Sequence, residues 1–355
     1  MNKIDKTNIK EIEKADKDKK RIIFYVVLDE MPSLKYIENN LNIDTSFYKD
    51  FASKNSIQNS YSAKSNYNRT YLTITSILNL NYLPLTEYSN KDNFYPNILY
   101  KDETNIPLLN LLNANDFKFY FVGNEWARCL PKKQINCIEV NSDNFFIKMI
   151  NDYATTTFIS NSLIGTFFIS YVNSYSKKIN EIDSNNAISK LEYYINNDLI
   201  NFNENSFIFA HHLSPHSPYR SKDCKILSGN DRTDSKNFSS SVECALNQII
   251  NFTKLINYNY PNSIIVFQGD HGHGENVAKI SEINEKLIFN KYSIFNSVYS
   301  MPSCEENLEP NFGQINTIRY ALRCVGFDFK KLKEKKYIGF SDRQNLFGKL
   351  YEIED

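Results

Sequence analysis

The sequence predicts an α/β sandwich built on a mainly parallel sheet, and three observations carry that expectation. Residues 21–28 (RIIFYVVL) form an unbroken apolar run after the leading Arg21, as expected of a strand buried on both faces. Similar runs recur at 117–122, 207–210 and 263–267. Between them lie stretches with apolar residues near helical spacing, at 106–112 and 242–256. Alternation of strand, helix and strand is the pattern of a parallel sheet covered by helices. In such sheets ligands bind at the carboxyl ends of the strands, which directs attention to the residues after Leu28 and after Phe267.

Taken in order, residues 1–20 are charged and lack the apolar core of a signal peptide, so they read as a polar lead-in or linker. Residues 21–355 carry the strand and helix pattern as one domain. Within them, 173–205 is polar and Asn-rich, a surface helix and loop, and about 310–355 is a helix followed by short elements, a small C-terminal subregion. The most membrane-like stretch, 158–172, is broken by Ser160, Asn161, Ser162 and Thr166. It is shorter than the roughly 20 apolar residues of a bilayer span. There is no convincing internal repeat and no low-complexity linker.

The 355 residues are 41% hydrophobic, with 25 Phe and 24 Tyr, enough for a sizeable core. Forty-one basic residues balance 41 acidic ones. That balance argues against nucleic acid or an anionic membrane surface as the main partner. None of the six cysteines forms a CxxC pair, which argues against a structural zinc site. Their even number, with Cys129 and Cys137 bracketing a short basic loop, is compatible with disulfides and also with six buried thiols.

The chemistry concentrates in three places. All five histidines fall in two short segments, HHLSPHSP (211–218) and DHGHG (270–274), each close behind a predicted strand. Imidazole and carboxylate gathered at strand ends suit a divalent metal. The first strand also ends in acid, Asp29-Glu30, although an acidic pair before Pro32 fits a solvated turn as well. The third place is 65–79, where polar residues run into an amphipathic helix. A hydroxyl at a helix N-terminus lies beside free N–H groups and the positive end of the dipole, which stabilise a phosphoryl or sulfuryl group. A Ser/Thr N-cap without further function is the plainer alternative.

Together VVLDEMPS (26–33), SNYNRTYLTITSILNLNYL (65–83), HHLSPHSPY (211–219) and FQGDHGHG (267–274) resemble the alkaline phosphatase and sulfatase superfamily. More closely they resemble its sulfatase-like branch of phosphoethanolamine and phosphoglycerol transferases. With the tail around 316–329, the resemblance spans nearly the whole chain from residue 21. It implies a three-layer sandwich with a mainly parallel central sheet and a divalent metal (Zn, Mn, Ca or Mg). Asp29, Thr70, Asp270 and His271 match the metal ligands, with Glu30 as a further candidate. Thr70 matches the nucleophile that carries a covalent phospho-intermediate. His216 matches a histidine on the substrate anion or a second metal, with His211, His212 and His273 as weaker candidates. Arg69 is a further candidate for the substrate site. So, from their place just past the second strand, are Trp126 and Arg128, with Arg128 binding an anionic head group. A packing tryptophan in a surface loop is the plainer alternative.

Two departures shape the expectation. The C/S-x-P-S-R motif of sulfatases is missing, since no Cys lies near 65–70 and Tyr67 stands where its Pro would be. Ser65 with Arg69 four residues on echoes that motif's spacing and makes Ser65 the alternative nucleophile. The resemblance therefore implies transfer of a phospho-alcohol head group from a phospholipid-type donor to a glycan or lipid acceptor of the cell envelope. Sulfatase or phosphodiesterase activity, or anionic glycan or lipid binding without turnover, are the alternatives. The second departure is the lack of membrane helices that transferases of this type carry. It leaves an extracytoplasmic, periplasmic or membrane-associated setting through a missing or separate anchor, and the resemblance tilts the cysteines toward disulfides.

Overall fold

The run at 22–28 does what its composition demands. In the computed structural model, strand β1 (Ile22–Leu28) is buried at every position and lies in the middle of the sheet. The structure describes residues 20–84, 93–101, 103–124, 126–138, 186–227, 234–274, 283–300, 304, 307–339 and 350–353. Among these, the main sheet has seven strands: β1, β2 (Ile57–Asn59), β3 (Lys118–Val122), β4 (Asn136–Ile138), β5 (Ser206–His212), β6 (Ser263–Gly269) and β7 (Asn296–Tyr299). Their order is β2-β7-β6-β1-β5-β3-β4. The run from β6 to β4 is parallel, while β7 pairs antiparallel with both β6 and β2. The predicted α/β architecture with a mainly parallel sheet is what the chain adopts, and the antiparallel edge is an addition the apolar runs did not announce.

Helices cover both faces. Odd residues of β1 (Ile23, Tyr25, Val27) pack with helix α3 (Thr70–Asn79), α4 (Asn97–Lys101), α5 (Pro107–Ala114) and α9 (Gln314–Cys324). Even residues (Ile22, Phe24, Val26, Leu28) pack with α1 (Leu34–Asn40), α2 (Ser46–Lys54), α6 (Ala187–Asn196) and the long α7 (Ser235–Asn259). Helix α8 (Glu285–Tyr292) precedes β7. The two faces follow from the strand's period of two, and each fully buried Ile, Val or Phe contributes about 1.5–3 kcal/mol. A two-stranded ribbon, β8 (Lys336–Gly339) and β9 (Leu350–Ile353), closes over α3, with Tyr337 and Leu350 against Tyr67 and Leu72.

Several predicted boundaries move. The strand expected at 207–210 continues through both histidines to His212, because β1 stays paired with it through Leu28 and His212 after the β3 pairing ends at Ala210. The helix expected at 242–256 starts at Ser235, where Asp234 caps the N–H groups of Lys236 and Asn237, and ends at Asn259. In the Asn-rich 173–205 stretch, α6 is the helix among the described residues, and 158–172 lies outside them. No helix among the described residues is long and apolar enough to cross a membrane. The six cysteines form three disulfides, Cys129–Cys137, Cys224–Cys244 and Cys304–Cys324.

Candidate active site and metal centre

Register and side-chain parity assemble the site. Leu28 pairs with Gly269 on one side and with His212 on the other, so the next residues, Asp29 and Asp270, emerge side by side. Asp29, His211 and Asp270 share parity with the core residues facing α3 (Val27, Phe209 and Val266), so all three carry the face on which α3 begins. The ligand atoms of Asp29, Asp270 and His271 lie within 4.8 Å of one another, and all three residues are buried.

Helix α3 supplies the hydroxyl. Arg69 is its N-cap without a side-chain cap bond, and Thr70 opens the helix. Thr70 Oγ1 lies 3.2 Å from His271 Nε2. The His271 Nδ1 donates to Gly272 O at 2.9 Å, so Nε2 is the nitrogen that carries the lone pair toward Thr70 and Asp270. The helix start is tied to the end of β6 through one backbone carbonyl. Asp270 O meets Ser65 Oγ at 2.8 Å, Thr73 Oγ1 at 2.9 Å and Gln314 Nε2 at 2.8 Å. Ser65, the alternative nucleophile, is fully buried, and its hydroxyl also meets Tyr67 O and accepts from Gln314 Nε2.

Electrostatics separate the two carboxylates. Asp270 Oδ1 accepts from the N–H groups of Glu30 and His271 at 2.9 and 2.7 Å. Burial and the neighbouring Asp29 charge push Asp270 up to about 7. Burial also raises Asp29, but the hydrogen-bonding and fields of His211, His216 and His271 outweigh it and hold Asp29 low. Burial, reinforced by Lys291, holds His271 down to about 4, a neutral imidazole. Asp29 Oδ1 and Asp270 Oδ2 are buried without a hydrogen-bond partner. Orphaned carboxylate oxygens beside a neutral imidazole nitrogen and a hydroxyl are a donor set for a divalent cation.

The remaining candidates divide. Glu30, at φ 60°, lies between His273 Nδ1 (3.3 Å) and Lys291 Nζ (3.9 Å), and His273 stacks on Phe238. His216 takes its N–H to Asp29 O at 3.2 Å, and its Nδ1 donates to Ser217 O at 2.8 Å. His211 Nε2 faces Asp29 Oδ2 at 3.6 Å, and the Trp126 ring packs against the His211 ring with centroids 5.5 Å apart. His212, one residue on, turns to the other face and meets Gln248 of α7 at 3.2 Å; burial holds it neutral, down to about 3. Arg128 is exposed and makes none of these contacts. Sequence reasoning missed Lys291, Gln314, Tyr95 and Asn124. Lys291 is 2% exposed and, with Tyr292, is buried only in the last turn of α8, so no helical stripe in the sequence marks it.

No family model and no curated protein matches the sequence. Solved structures do share its architecture. One is the C-terminal periplasmic domain of EcEptC from Escherichia coli in complex with Zn (11% identity, 92% of this chain and 91% of that one, TM-score 0.53). A second is the C-terminal periplasmic domain of the phosphoethanolamine transferase EptC from Campylobacter jejuni (12%, 88% and 91%, 0.50). A third is the phosphonate monoester hydrolase SpPMH from Silicibacter pomeroyi (9%, 91% and 80%, 0.54). With its mainly parallel central sheet between two layers of helices, the chain has the alkaline phosphatase/sulfatase-like fold.

Proposed function

We propose that the chain is a metal-dependent phosphotransferase that moves a phospho-alcohol head group through a phosphothreonine on Thr70. The observation that carries this reading is the meeting of Thr70 Oγ1 with His271 Nε2 beside two buried carboxylates at the open end of α3. Asp29, Asp270 and His271, with Thr70 beside them, would hold a divalent metal, zinc or a similar ion. When bound, such an ion supplies Lewis-acid polarisation of the hydroxyl and the phosphoryl oxygen.

The chain's own groups account for the rest. Thr70 Oγ1 attacks phosphorus in line, the P–O bond to the donor's alcohol breaks, and that alcohol leaves with a proton. An acceptor hydroxyl then attacks the phosphothreonine from the vacated side, gives up its proton, and releases Thr70. The first N–H groups of α3 have no intrahelical acceptor and hold the anionic oxygens. His216 handles charge on the side facing Asp29, and the exposed Trp126 ring forms a wall for the head group. The donor class is a phospholipid carrying phosphoethanolamine or phosphoglycerol, and the acceptor is a glycan or lipid of the cell envelope. Three disulfides using all six cysteines support an oxidising, extracytoplasmic setting.

The test is mass spectrometry of the full chain after incubation with zinc and vesicles of phosphatidylethanolamine or phosphatidylglycerol. The expected result is a phospho-alcohol adduct on Thr70 that is absent from Thr70→Ala. Unmodified Thr70, or an adduct on Ser65, overturns the mechanism. With water as the sole acceptor, release of the free phospho-alcohol would move the assignment to a hydrolase.

A further inference from the structure

The two histidines nearest the carboxylates are wired in opposite senses, and one asparagine decides it. Asn124, 4% exposed, follows β3. One of its side-chain atoms takes the backbone N–H groups of Trp126 at 3.0 Å and Ala127 at 2.7 Å, so that atom is the oxygen. The other lies 2.8 Å from His211 O, an acceptor only, so it is the nitrogen. Both ends of the amide are thus fixed by backbone partners, and a flipped amide would break three hydrogen bonds. The Nδ2 amino group also faces His211 Nδ1 at 3.3 Å. An N–H donor there requires a lone pair on Nδ1. The Tyr95 hydroxyl, 3.2 Å from the same nitrogen, can rotate to donate as well.

We propose that Asn124 fixes His211 in the tautomer protonated on Nε2, making His211 a hydrogen donor to Asp29 and not a metal ligand. The Nε2 faces Asp29 Oδ2 at 3.6 Å, just beyond hydrogen-bond length, and no other acceptor lies closer. A donor on Oδ2 orients the Asp29 carboxylate and leaves Oδ1, the oxygen without a partner, for the cation. His271 has the reverse wiring, with Nδ1–H on Gly272 O and its lone pair on Nε2 facing Asp270. His211 and Asn124 are then positioning residues. The inference rests on the metal-site reading above, except for the tautomer itself, which the amide network sets without any ion.

The experiment uses the full chain labelled with 15N-histidine, read by long-range 1H–15N correlation without metal and then with saturating zinc. His211 is expected as the Nε2–H form and His271 as the Nδ1–H form. With zinc, the His211 Nε2 proton should persist, because a ligating nitrogen would lose it. A His211 proton on Nδ1 in the wild type, or loss of the Nε2 proton on adding zinc, overturns the proposal.

Asn124→Asp keeps an oxygen for the Trp126 and Ala127 N–H groups but replaces the donor to Nδ1 with an acceptor. A proton should therefore appear on Nδ1, whereas a purely structural Asn124 predicts no change. His211→Leu should weaken zinc binding roughly 10- to 100-fold. His211→Gln, whose amide N–H can reach the same carboxylate, should recover most of that loss. Equal losses in both variants would contradict the donor role. Failure of the wild type to bind zinc would sink the proposed function, while the metal-free tautomer would still decide whether Asn124 sets the His211 proton.

Discussion

Zinc binding should release a proton from Asp270, and the structure fixes how much that matters. His271, held down to about 4, is already neutral above pH 5, and Asp29 is held low by its histidine neighbours. Asp270, raised to about 7, is the group that must lose its proton before its carboxylate can take a cation. Below pH 7 the apparent Kd for zinc should therefore rise about tenfold per pH unit. Free zinc at 100 times Kd stabilises by about 2.7 kcal/mol. With an unfolding entropy of about 0.7 kcal/mol/K for 355 residues, that raises Tm by about 4 °C at pH 8. At pH 6, with free zinc unchanged, the shift should shrink to about 2 °C. Calorimetric titration in buffers of different ionisation heat should count about one proton released at pH 6 and close to none at pH 8.

The same group acts on the metal-free protein with a definite sign. Its folded pKa is raised above the unfolded value of about 3.9, so the folded chain holds the proton more tightly. That contribution is complete below about pH 4 and is lost as pH rises through 7, on the order of 4 kcal/mol. His271 and His212, both held down by burial, contribute the opposite slope below about pH 6.5. The Asp270 contribution is therefore read as the difference between wild type and Asp270→Asn from pH 4 to 7. A zinc shift of equal size at pH 6 and pH 8, or a full shift retained by Asp270→Asn, would refute the reasoning.

Ser65→Ala should lower stability by about 1–3 kcal/mol in denaturant titration, since its buried hydroxyl joins Asp270 O to Gln314. Thr70 in that variant should still acquire the phospho-alcohol adduct. His212→Leu leaves Gln248 without its partner and should cost a similar 1–3 kcal/mol or so, with zinc affinity in calorimetry unchanged, because His212 serves the α7 face. Lys291→Met removes the buried cation beside Glu30 and should cost about 3 kcal/mol, as removal of one member of a buried ion pair does. A Lys291→Met protein as stable as wild type at pH 7 would show that the pair contributes nothing there.

How far the sequence carried is visible residue by residue. β1, β5 and β6 were legible because strands with neighbours on both sides and helices on both faces must be apolar throughout. β2 and β7 were not, since the three-residue edge strand IQN and its four-residue antiparallel neighbour NSVY are too short and too polar to carry such a run. Asp29, Asp270, His271 and Thr70 were legible as residues placed at strand ends and at a helix start. What linear order hid was which side each histidine takes. His211 and His212 look interchangeable in a HH pair, yet strand parity sends one to Asp29 and the other to Gln248. Asn124 and Gln314 were hidden for a different reason. Each acts through an amide that meets backbone groups 87 and 44 residues away, and no local pattern marks such a partner.

These hidden residues explain why the site holds its shape before any ion arrives. Two carboxylates buried side by side cannot both be charged without compensation, and the chain compensates asymmetrically. Asp29 is surrounded by His211 and His216 and stays ionised, while Asp270 spends one oxygen on two backbone N–H groups and holds a proton. One oxygen of each carboxylate is thereby anchored or faced by a donor, and the other is left buried without a partner. A cation that displaces the Asp270 proton would meet both unpartnered oxygens and the His271 lone pair without moving the backbone. Helix α3 brings Thr70 beside His271 Nε2, and its first turn is bound to the Asp270 carbonyl through Thr73. Thr70 and the buried carboxylates are therefore tied together through one residue, so on the proposed mechanism a substitution that shifts Asp270 should disturb metal affinity and adduct formation together.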